Sequence, residues 1–169
     1  NVTHALQTKA HLEIADGKRE QAVATRESAV DGDAKAVNAR VALVALLVTS
    51  GQMDKAVARV ETMKKEAPLQ FGTLYSDGLV SFARGDATHA RDVIQQVLGM
   101  QPDHVPSLYL SGLINTQLGS YAVAEEALRK VVAQVPSDAS ARRALAVTYL
   151  QTGRPGPAIG TMQPAWRRP

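Results

Sequence analysis

Five glycines stand 34 residues apart along the chain, and this spacing constrains the fold more than any other feature of the sequence. They are Gly17, Gly51, Gly85, Gly119 and Gly153. An alanine follows five residues after each of them: Ala22, Ala56, Ala90, Ala124 and Ala158. Proline recurs at the same interval, at Pro68, Pro102 and Pro136, and the first unit has Ala34 in its place. Such a period predicts stacked copies of one structural unit.

The segments between these markers have the apolar spacing of amphipathic helices. Val57, Val60 and Met63, three residues apart, place one apolar stripe on a helix. Glycine tolerates the positive φ of a tight turn after the first helix of a unit, and proline ends the second helix. The sequence therefore predicts helix pairs. Their ten helices are expected at residues 3–15, 19–31, 37–49, 53–66, 71–83, 87–99, 105–117, 121–134, 139–151 and 155–163.

Small residues inside the predicted helices indicate close packing. The alanine after each glycine lets the two helices of a unit approach each other, and Gly78, Gly112 and Ala146 do the same from the first helix. Asp54 and Asp86 fall near the start of a second helix, where a carboxylate suits the helix dipole.

The composition supports a packed helical domain and removes several kinds of site. Of 169 residues, 45% are hydrophobic and only 4% aromatic, a balance that favours close-packed helices over a β-sandwich. There is no cysteine, so disulfides, thiolate metal sites and a cysteine nucleophile are excluded. No apolar run approaches the roughly 20 residues of a membrane helix. Because the chain starts at Asn1 without a signal peptide, we expect a piece of a longer protein.

A 34-residue helix–turn–helix with this register of glycine, alanine and proline resembles the tetratricopeptide repeat. The resemblance implies an all-α, right-handed α-solenoid of antiparallel helix pairs, with residues 1–169 as a single domain. Its units would be residues 3–36, 37–70, 71–104, 105–138 and a truncated 139–169. The unit at 105–138 matches best, through Leu108, Gly112, Leu118-Gly119, Tyr121, Ala124 and Pro136.

A narrower resemblance concerns the run LYLSGLINTQLGSYAVAEEALRKVVAQVPSDASARRALAVTYLQTG, residues 108–153. It is similar to the tetratricopeptide lipoprotein of the PEP-CTERM/exosortase systems of Gram-negative bacteria that produce exopolysaccharide. This implies a bacterial envelope protein, periplasmic or associated with the outer membrane, that supports exopolysaccharide production or protein sorting.

The repeat resemblance also places a concave groove along the first helices. Its lining would be Val41, Ala45, Val48, Tyr75, Leu79, Phe82, Tyr109, Leu113, Thr116, Arg143, Val147 and Leu150, after Asn38 at its start. The family's two-carboxylate clamp needs Lys and Asn where this chain has Tyr75, Leu79, Tyr109 and Leu113, so the clamp is absent. The expected partner is a protein or peptide with an apolar or amphipathic segment. Tyr75 and Tyr109 should stack as anchors, although pure packing between units would explain them nearly as well.

Two departures from the repeat pattern leave questions open. Asp77, Ser81, Ser111 and Asn115 stand where the family has apolar residues, and we expect a hydrogen-bonded set between neighbouring first helices, with binding as the alternative. In the last unit, Pro155 and Pro157 fit a first helical turn, while Gly160 and Pro164 should shorten the second helix. Either Trp166 caps the open end of the solenoid, or a further unit follows. Open ends could also pair two copies of the chain.

The sequence offers little for catalysis, cofactors or nucleic acid. His4 and His11 are two helical turns apart but lack the further ligands of a zinc site, and His89 and His104 lack triad partners. There is no phosphate-binding glycine motif, and an apolar groove does not suit RNA. We expect a non-enzymatic scaffold without cofactor, metal, nucleic-acid partner or membrane span. The alternatives are a cytoplasmic adaptor or peptide-sensing regulator and, less favoured, a module of a glycan-handling enzyme.

Overall fold

A computed structural model of the chain describes residues 2–32 and 37–163. These residues form ten α-helices and no β-strand, which confirms the predicted all-α fold of helix pairs. The helices begin and end within one residue of the predicted bounds. They are α1 (Val2–Ala15), α2 (Arg19–Gly32), α3 (Val37–Thr49), α4 (Met53–Glu66), α5 (Phe71–Ala83), α6 (Ala87–Met100), α7 (Val105–Gln117), α8 (Tyr121–Gln134), α9 (Ala139–Gln151) and α10 (Pro155–Met162).

The five repeated glycines end the first helix of each pair in the left-handed conformation. Their φ angles lie between 68° and 90°, a region that side chains rarely adopt. At Gly119 the amide donates to the carbonyl of Thr116 at 3.2 Å, and the Ser120 amide donates to the carbonyl of Asn115 at 2.8 Å. These two bonds form a Schellman motif and satisfy carbonyls at the end of α7. The predicted role of the glycines is confirmed.

The repeated alanines are buried where the helices pack. Ala22, Ala56, Ala90 and Ala124 are fully buried, and Ala158 is 4% exposed. Gly112 leaves equally little room, because a Cβ atom there would lie 2.4 Å from Cγ of Leu128 in α8. The small residues are therefore required by packing, as the sequence predicts.

Polar caps and prolines set the other helix ends. The Asp86 carboxylate accepts a hydrogen bond from the His89 amide at 3.0 Å, as the N-cap of α6. Asp54 lies in the first turn of α4, where Gln52 is the N-cap without a side-chain bond. Pro68 follows directly after the C-cap of α4, and Pro102 after the C-cap of α6. The proline thus stands one residue past the C-cap, in agreement with the prediction.

The helices belong to two compact units, Asn1–Arg84 and Gly85–Pro169. In the first unit α3 contacts α2, α4 and α5, and its residues Leu43, Val44 and Leu47 lie at the centre of the core. In the second unit α7 contacts α6, α8 and α9, and Leu128 of α8 is fully buried beside Leu145 of α9. The first helices α3 and α7 thus each contact their own second helix and the first helix of the next pair, as expected when neighbouring repeats stack. A single solenoid domain over residues 1–169, and its handedness, stay predictions.

The last helix is short. α10 has 8 residues, whereas α2, α4, α6 and α8 each have 14. The Arg142 side chain closes its end, since Nε donates to the Thr161 carbonyl at 2.7 Å and Nη2 donates to the Gln163 carbonyl. The expected shortening of the last second helix is confirmed. Ala34, Pro164 and the expected cap Trp166 lie outside the described residues.

Candidate protein-binding surface

In the first unit, the predicted groove residues lie on neighbouring faces of α3 and α5. The two helices approach closely, since a Cβ atom on Gly72 would lie 2.5 Å from Cγ1 of Val37 and 3.0 Å from Cγ2 of Val41. All six predicted positions are half-buried: Val41, Ala45, Val48, Tyr75, Leu79 and Phe82. The opposite face of α5, with Leu74 and Val80, is buried in the core. We name the six residues the first inner face.

In the second unit, α7 and α9 form the corresponding surface. A hydrogen bond of 3.1 Å between the hydroxyls of Thr116 and Thr148 joins the two helices. Thr148 is fully buried and also donates to the Ala144 carbonyl at 3.0 Å, so this bond fixes one helix against the other. The predicted positions here are Tyr109, Leu113 and Thr116, which are half-buried, and Arg143, Val147 and Leu150, which are exposed. We name them the second inner face.

Tyr109 combines packing with exposure. Its ring packs on the two apolar clusters that join α7, α8 and α9, against Leu108 and Leu145 among others. Burial raises the pKa of the Tyr109 hydroxyl, the Asp138 carboxylate raises it further, and Arg143 lowers it. Burial also raises the pKa of Tyr75. Both tyrosines therefore keep their hydroxyl groups protonated at neutral pH. Tyr75 belongs to the first inner face and Tyr109 to the second. The predicted stacking between them stays a prediction.

The polar residues inside the first helices make bonds of two kinds. Asp77 of α5 pairs with Nζ of Lys64 in α4 at 2.8 Å. Asn115 donates from Nδ2 to the Ser111 carbonyl at 2.8 Å and to its hydroxyl at 3.2 Å, so this bond stays within α7. Ser81 is half-buried. These bonds are thus made with a second helix or within one helix. The bond between the neighbouring first helices α7 and α9 comes from two threonines instead, a pair that the sequence did not single out.

The described residues offer no site for a metal ion. They hold no group of three or more histidine, aspartate or glutamate side chains with suitable geometry. His104 has a local structural role, because its Nδ1 accepts a hydrogen bond from the Ser107 amide at 3.3 Å as the N-cap of α7. His11 Nδ1 lies 3.1 Å from the Gln7 carbonyl of its own helix. Within the described helices, none is long and apolar enough to cross a membrane.

Comparison with known sequences agrees with this architecture. The tetratricopeptide repeat family profile matches residues 75–139 and 116–163, which together make up just over half of the chain. Human tetratricopeptide repeat protein 7B is 35% identical over 89 residues, or 53% of this chain. That segment spans only 10% of the human protein's length.

Solved structures show the same fold at low sequence identity. TTC0263, a thermophilic TPR protein from Thermus thermophilus, superposes with a TM-score of 0.79 at 20% identity, over 94% of this chain and 87% of that one. A chain of the APC/C hetero-tetramer Cut9–Hcn1 also gives 0.79, at 21% identity, over 94% of this chain and 32% of its own length. A MamA structure gives 0.62 at 17% identity, over 95% and 87%. The chain belongs to the tetratricopeptide repeat family.

Proposed function

We propose that this chain is a non-catalytic scaffold that binds another protein on the inner faces of its first helices. Tetratricopeptide repeat proteins generally mediate protein–protein interactions, and most are non-catalytic. The two inner faces carry half-buried and exposed apolar side chains on helices whose opposite sides are packed in the core. The proposed ligand is an apolar or amphipathic segment of a partner protein.

The exposure of two residues of α9 carries this proposal. Val147 is 42% exposed and Leu150 57% exposed, although Leu145 and Thr148 on the opposite side of the same helix are almost fully buried. Apolar side chains of this size gain free energy when a partner covers them, at about 25 cal/mol per Å² of area removed from water. Leu113 lies on α7, which contacts α9, and it is half-buried.

The aromatic residues supply anchors for such a partner. Tyr75 and Tyr109 are half-buried, so each presents part of a rigid ring that its own packing already holds in place. Large side chains that are fixed before binding lose little conformational entropy when a partner arrives. Tyrosine is for this reason enriched among residues that dominate interface energies.

Selection of peptides from a random display library on the immobilised chain tests the proposal. We expect selected peptides to carry spaced large apolar residues and to lose binding to a Val147→Asp chain. Val123→Asp is the matched control, because Val123 of α8 is 49% exposed and lies outside both inner faces. Thermal melts of both variants establish that they remain folded.

Two results would contradict the proposed surface. One is equal loss of peptide binding in the Val147→Asp and Val123→Asp chains, which would mean that the added negative charge weakens binding wherever it is placed. The other is full binding by Val147→Asp, which would place the peptide elsewhere on the molecule.

For the biological setting, we propose a bacterial envelope protein, periplasmic or associated with the outer membrane, that supports exopolysaccharide production or protein sorting. Support for this comes from the similarity of residues 108–153 to the tetratricopeptide lipoprotein of PEP-CTERM/exosortase systems. Fractionation of the native cell with an antibody to this chain tests it. We expect the protein in the periplasmic or outer-membrane fraction. Recovery in the cytosol alone would contradict the envelope location, whereas the proposal of a protein-binding scaffold would still stand.

A further inference from the structure

Arg26 of α2 is a charged side chain buried in the core of the first unit. It is 6% exposed, and it lies on the same face of α2 as Ala22 and Val30, four residues to either side, which belong to the apolar core. The described part of the chain buries one other charged residue, Asp77, which has Nζ of Lys64 as its partner at 2.8 Å. The burial of Arg26 therefore requires an explanation of its own.

No partner compensates the charge of Arg26 among the described residues. Its Nε is buried and has no hydrogen-bond acceptor there. Burial lowers the pKa of the guanidinium, and no carboxylate in the described part acts against this effect. The two half-buried carboxylates of the first helix pair have other partners, Glu13 with Lys9 and Glu27 with Arg59, both at 3.7 Å. Because arginine stays charged in proteins, this charge lowers the stability of the chain on its own.

The following repeats have an apolar residue at the same position. Val60, Ile94 and Leu128 stand in register with Arg26, and each is at most 2% exposed. An apolar side chain therefore satisfies the packing at this position. A charge there lowers the free energy of unfolding unless an anion neutralises it, so the fold itself does not require the arginine.

The register also places Arg26 where α1, α2 and α3 meet. Its counterpart Leu128 lies against Gly112 of α7 and packs with Leu145 of α9. The helices that correspond to α7 and α9 are α1 and α3. α7 contacts α9, and α3 contacts α5, but the described residues of α1 and α3 share no contact of that extent. We therefore expect access to Arg26 from the space between α1 and α3.

We propose that Arg26 binds a carboxylate group that enters between α1 and α3. The two oxygens of a carboxylate match two parallel N–H groups of a guanidinium, here those on Nε and on one Nη. A single negative charge neutralises the site, whereas a phosphate group would bring a charge of about −1.5 to −2 into apolar surroundings. The carboxylate belongs either to a free small acid or to an acidic side chain of another protein. The site uses no residue of either inner face and does not depend on the proposed function.

Acetate is the first probe, and the Nε–H signals of arginine in two-dimensional ¹⁵N NMR spectra report its binding. The signal of Arg26 is the one that is missing from the spectrum of the Arg26→Leu chain. Acetate, added at constant ionic strength, should shift this signal saturably, because a carboxylate oxygen then accepts the hydrogen bond of Nε–H. Phosphate and chloride should not shift it.

A second probe distinguishes the two sources of the carboxylate. N-acetylglutamate amide carries a side-chain carboxylate, and N-acetylglutamine amide is its neutral control. A saturable shift of the Arg26 signal by both acetate and the glutamate compound would assign the site to an acidic side chain. A shift by acetate alone would assign it to a free small acid.

Thermal unfolding tests whether the bound carboxylate compensates the buried charge. At an acetate concentration about tenfold above its Kd, the Tm should rise by about 3–6 °C relative to chloride at the same ionic strength. The Arg26→Leu chain should have a Tm in chloride equal to or above that of the unmodified chain, and acetate should not raise it. Arg19→Leu is the matched control, because Arg19 is an exposed arginine of the same helix, and this chain should keep the full response to acetate.

Three results would overturn the proposal. The first is an Arg26 signal that acetate does not shift, or that phosphate shifts instead. The second is an equal increase in Tm with acetate in the Arg26→Leu chain and the unmodified chain. The third is a lower Tm in chloride for both Arg26→Leu and Arg26→Met, which would mean that Arg26 already has a partner within the chain. Asp31→Asn and Asp33→Asn, at two acidic residues whose side chains lie outside the described part, would then identify that partner by a shift of the Arg26 signal.

Discussion

Replacing Gly112 by alanine should destabilise the protein, although the same change in most helices does the opposite. Gly112 lies inside α7, where alanine would normally gain about 0.5–1 kcal/mol over glycine. In this helix the new Cβ atom would lie 2.4 Å from Cγ and 2.6 Å from Cδ2 of Leu128. Real Cβ contacts of this length do not occur, so Leu128 or α8 has to move.

The magnitude follows from the surroundings of Leu128. This side chain is fully buried and packs in a cluster with Leu145 and Ala146, so it has no free space into which to turn. Overpacking of this kind costs about 1–3 kcal/mol, which exceeds the helical gain. We expect a net loss of about 1–2 kcal/mol in the free energy of unfolding. For a chain of this size that is a decrease in Tm of about 2–8 °C.

Thermal unfolding followed by circular dichroism measures the effect, and Gly99→Ala is the control. Gly99 lies in α6, and a Cβ atom there would meet nothing within 4 Å. The free energy of unfolding of the Gly99→Ala variant should therefore be unchanged or higher by up to about 0.5–1 kcal/mol. The two glycine-to-alanine changes thus have opposite expected signs, although both stand in second-unit helices.

A double-mutant comparison identifies the clash as the cause. Leu128→Ala alone should cost about 2–5 kcal/mol, because it leaves a cavity in the core. In that background Gly112→Ala should cost nothing or stabilise, since the opposing atoms are gone. A stabilising Gly112→Ala, or the same penalty with and without Leu128, would refute the packing argument for the small residues of the repeat.

Three further predictions follow from the same structure. Ala90→Leu should lower the free energy of unfolding by about 1–3 kcal/mol, because Ala90 is fully buried, and an unchanged thermal melt would count against this. Burial lowers the pKa of His104, whose Nδ1 caps α7 by accepting a hydrogen bond from the Ser107 amide. The free energy of unfolding should therefore decrease as the pH falls from the ordinary histidine pKa of about 6.5 to the lower pKa of His104 in the folded protein. Chemical denaturation at several pH values measures this, and His104→Asn should remove the dependence. Replacing Tyr75 and Tyr109 together by alanine should weaken peptide capture on the inner faces, and a lower Tm with undiminished capture would contradict the binding role.

Much of the fold could be predicted because one register repeats. Glycine every 34 residues requires a turn of positive φ, and the structure has φ angles of 74° at Gly51 and 73° at Gly119. The alanine five residues later predicts a close helix contact, and Ala56 and Ala124 are fully buried. These inferences succeed because each residue type satisfies a local condition that the neighbouring sequence already defines. Helix bounds follow from the same markers.

Contacts made by side chains that do not repeat could not be predicted in the same way. Thr116 and Thr148 bond across α7 and α9, but they occupy different positions of their repeats, so the register does not relate them. The Asp77–Lys64 pair joins a first helix to the second helix of the preceding repeat. Whether a polar side chain bonds within its own helix or across to another depends on rotamers and on the spacing of helices. Helical periodicity in the sequence does not contain that information.

Departures from the repeat are more informative about binding than its consensus, because the consensus residues are used for packing. Arg143 stands in register with Tyr109 and Tyr75, and it adds the charged position of the second inner face. Arg129 stands in register with Glu27, whose ion pair it cannot reproduce beside Thr161. Both departures leave a side chain of the second unit exposed where the first unit has an internal partner or an apolar residue. Both arginines are exposed on the surface of the second unit, so neither contributes to the buried contacts that hold the stacked repeats together.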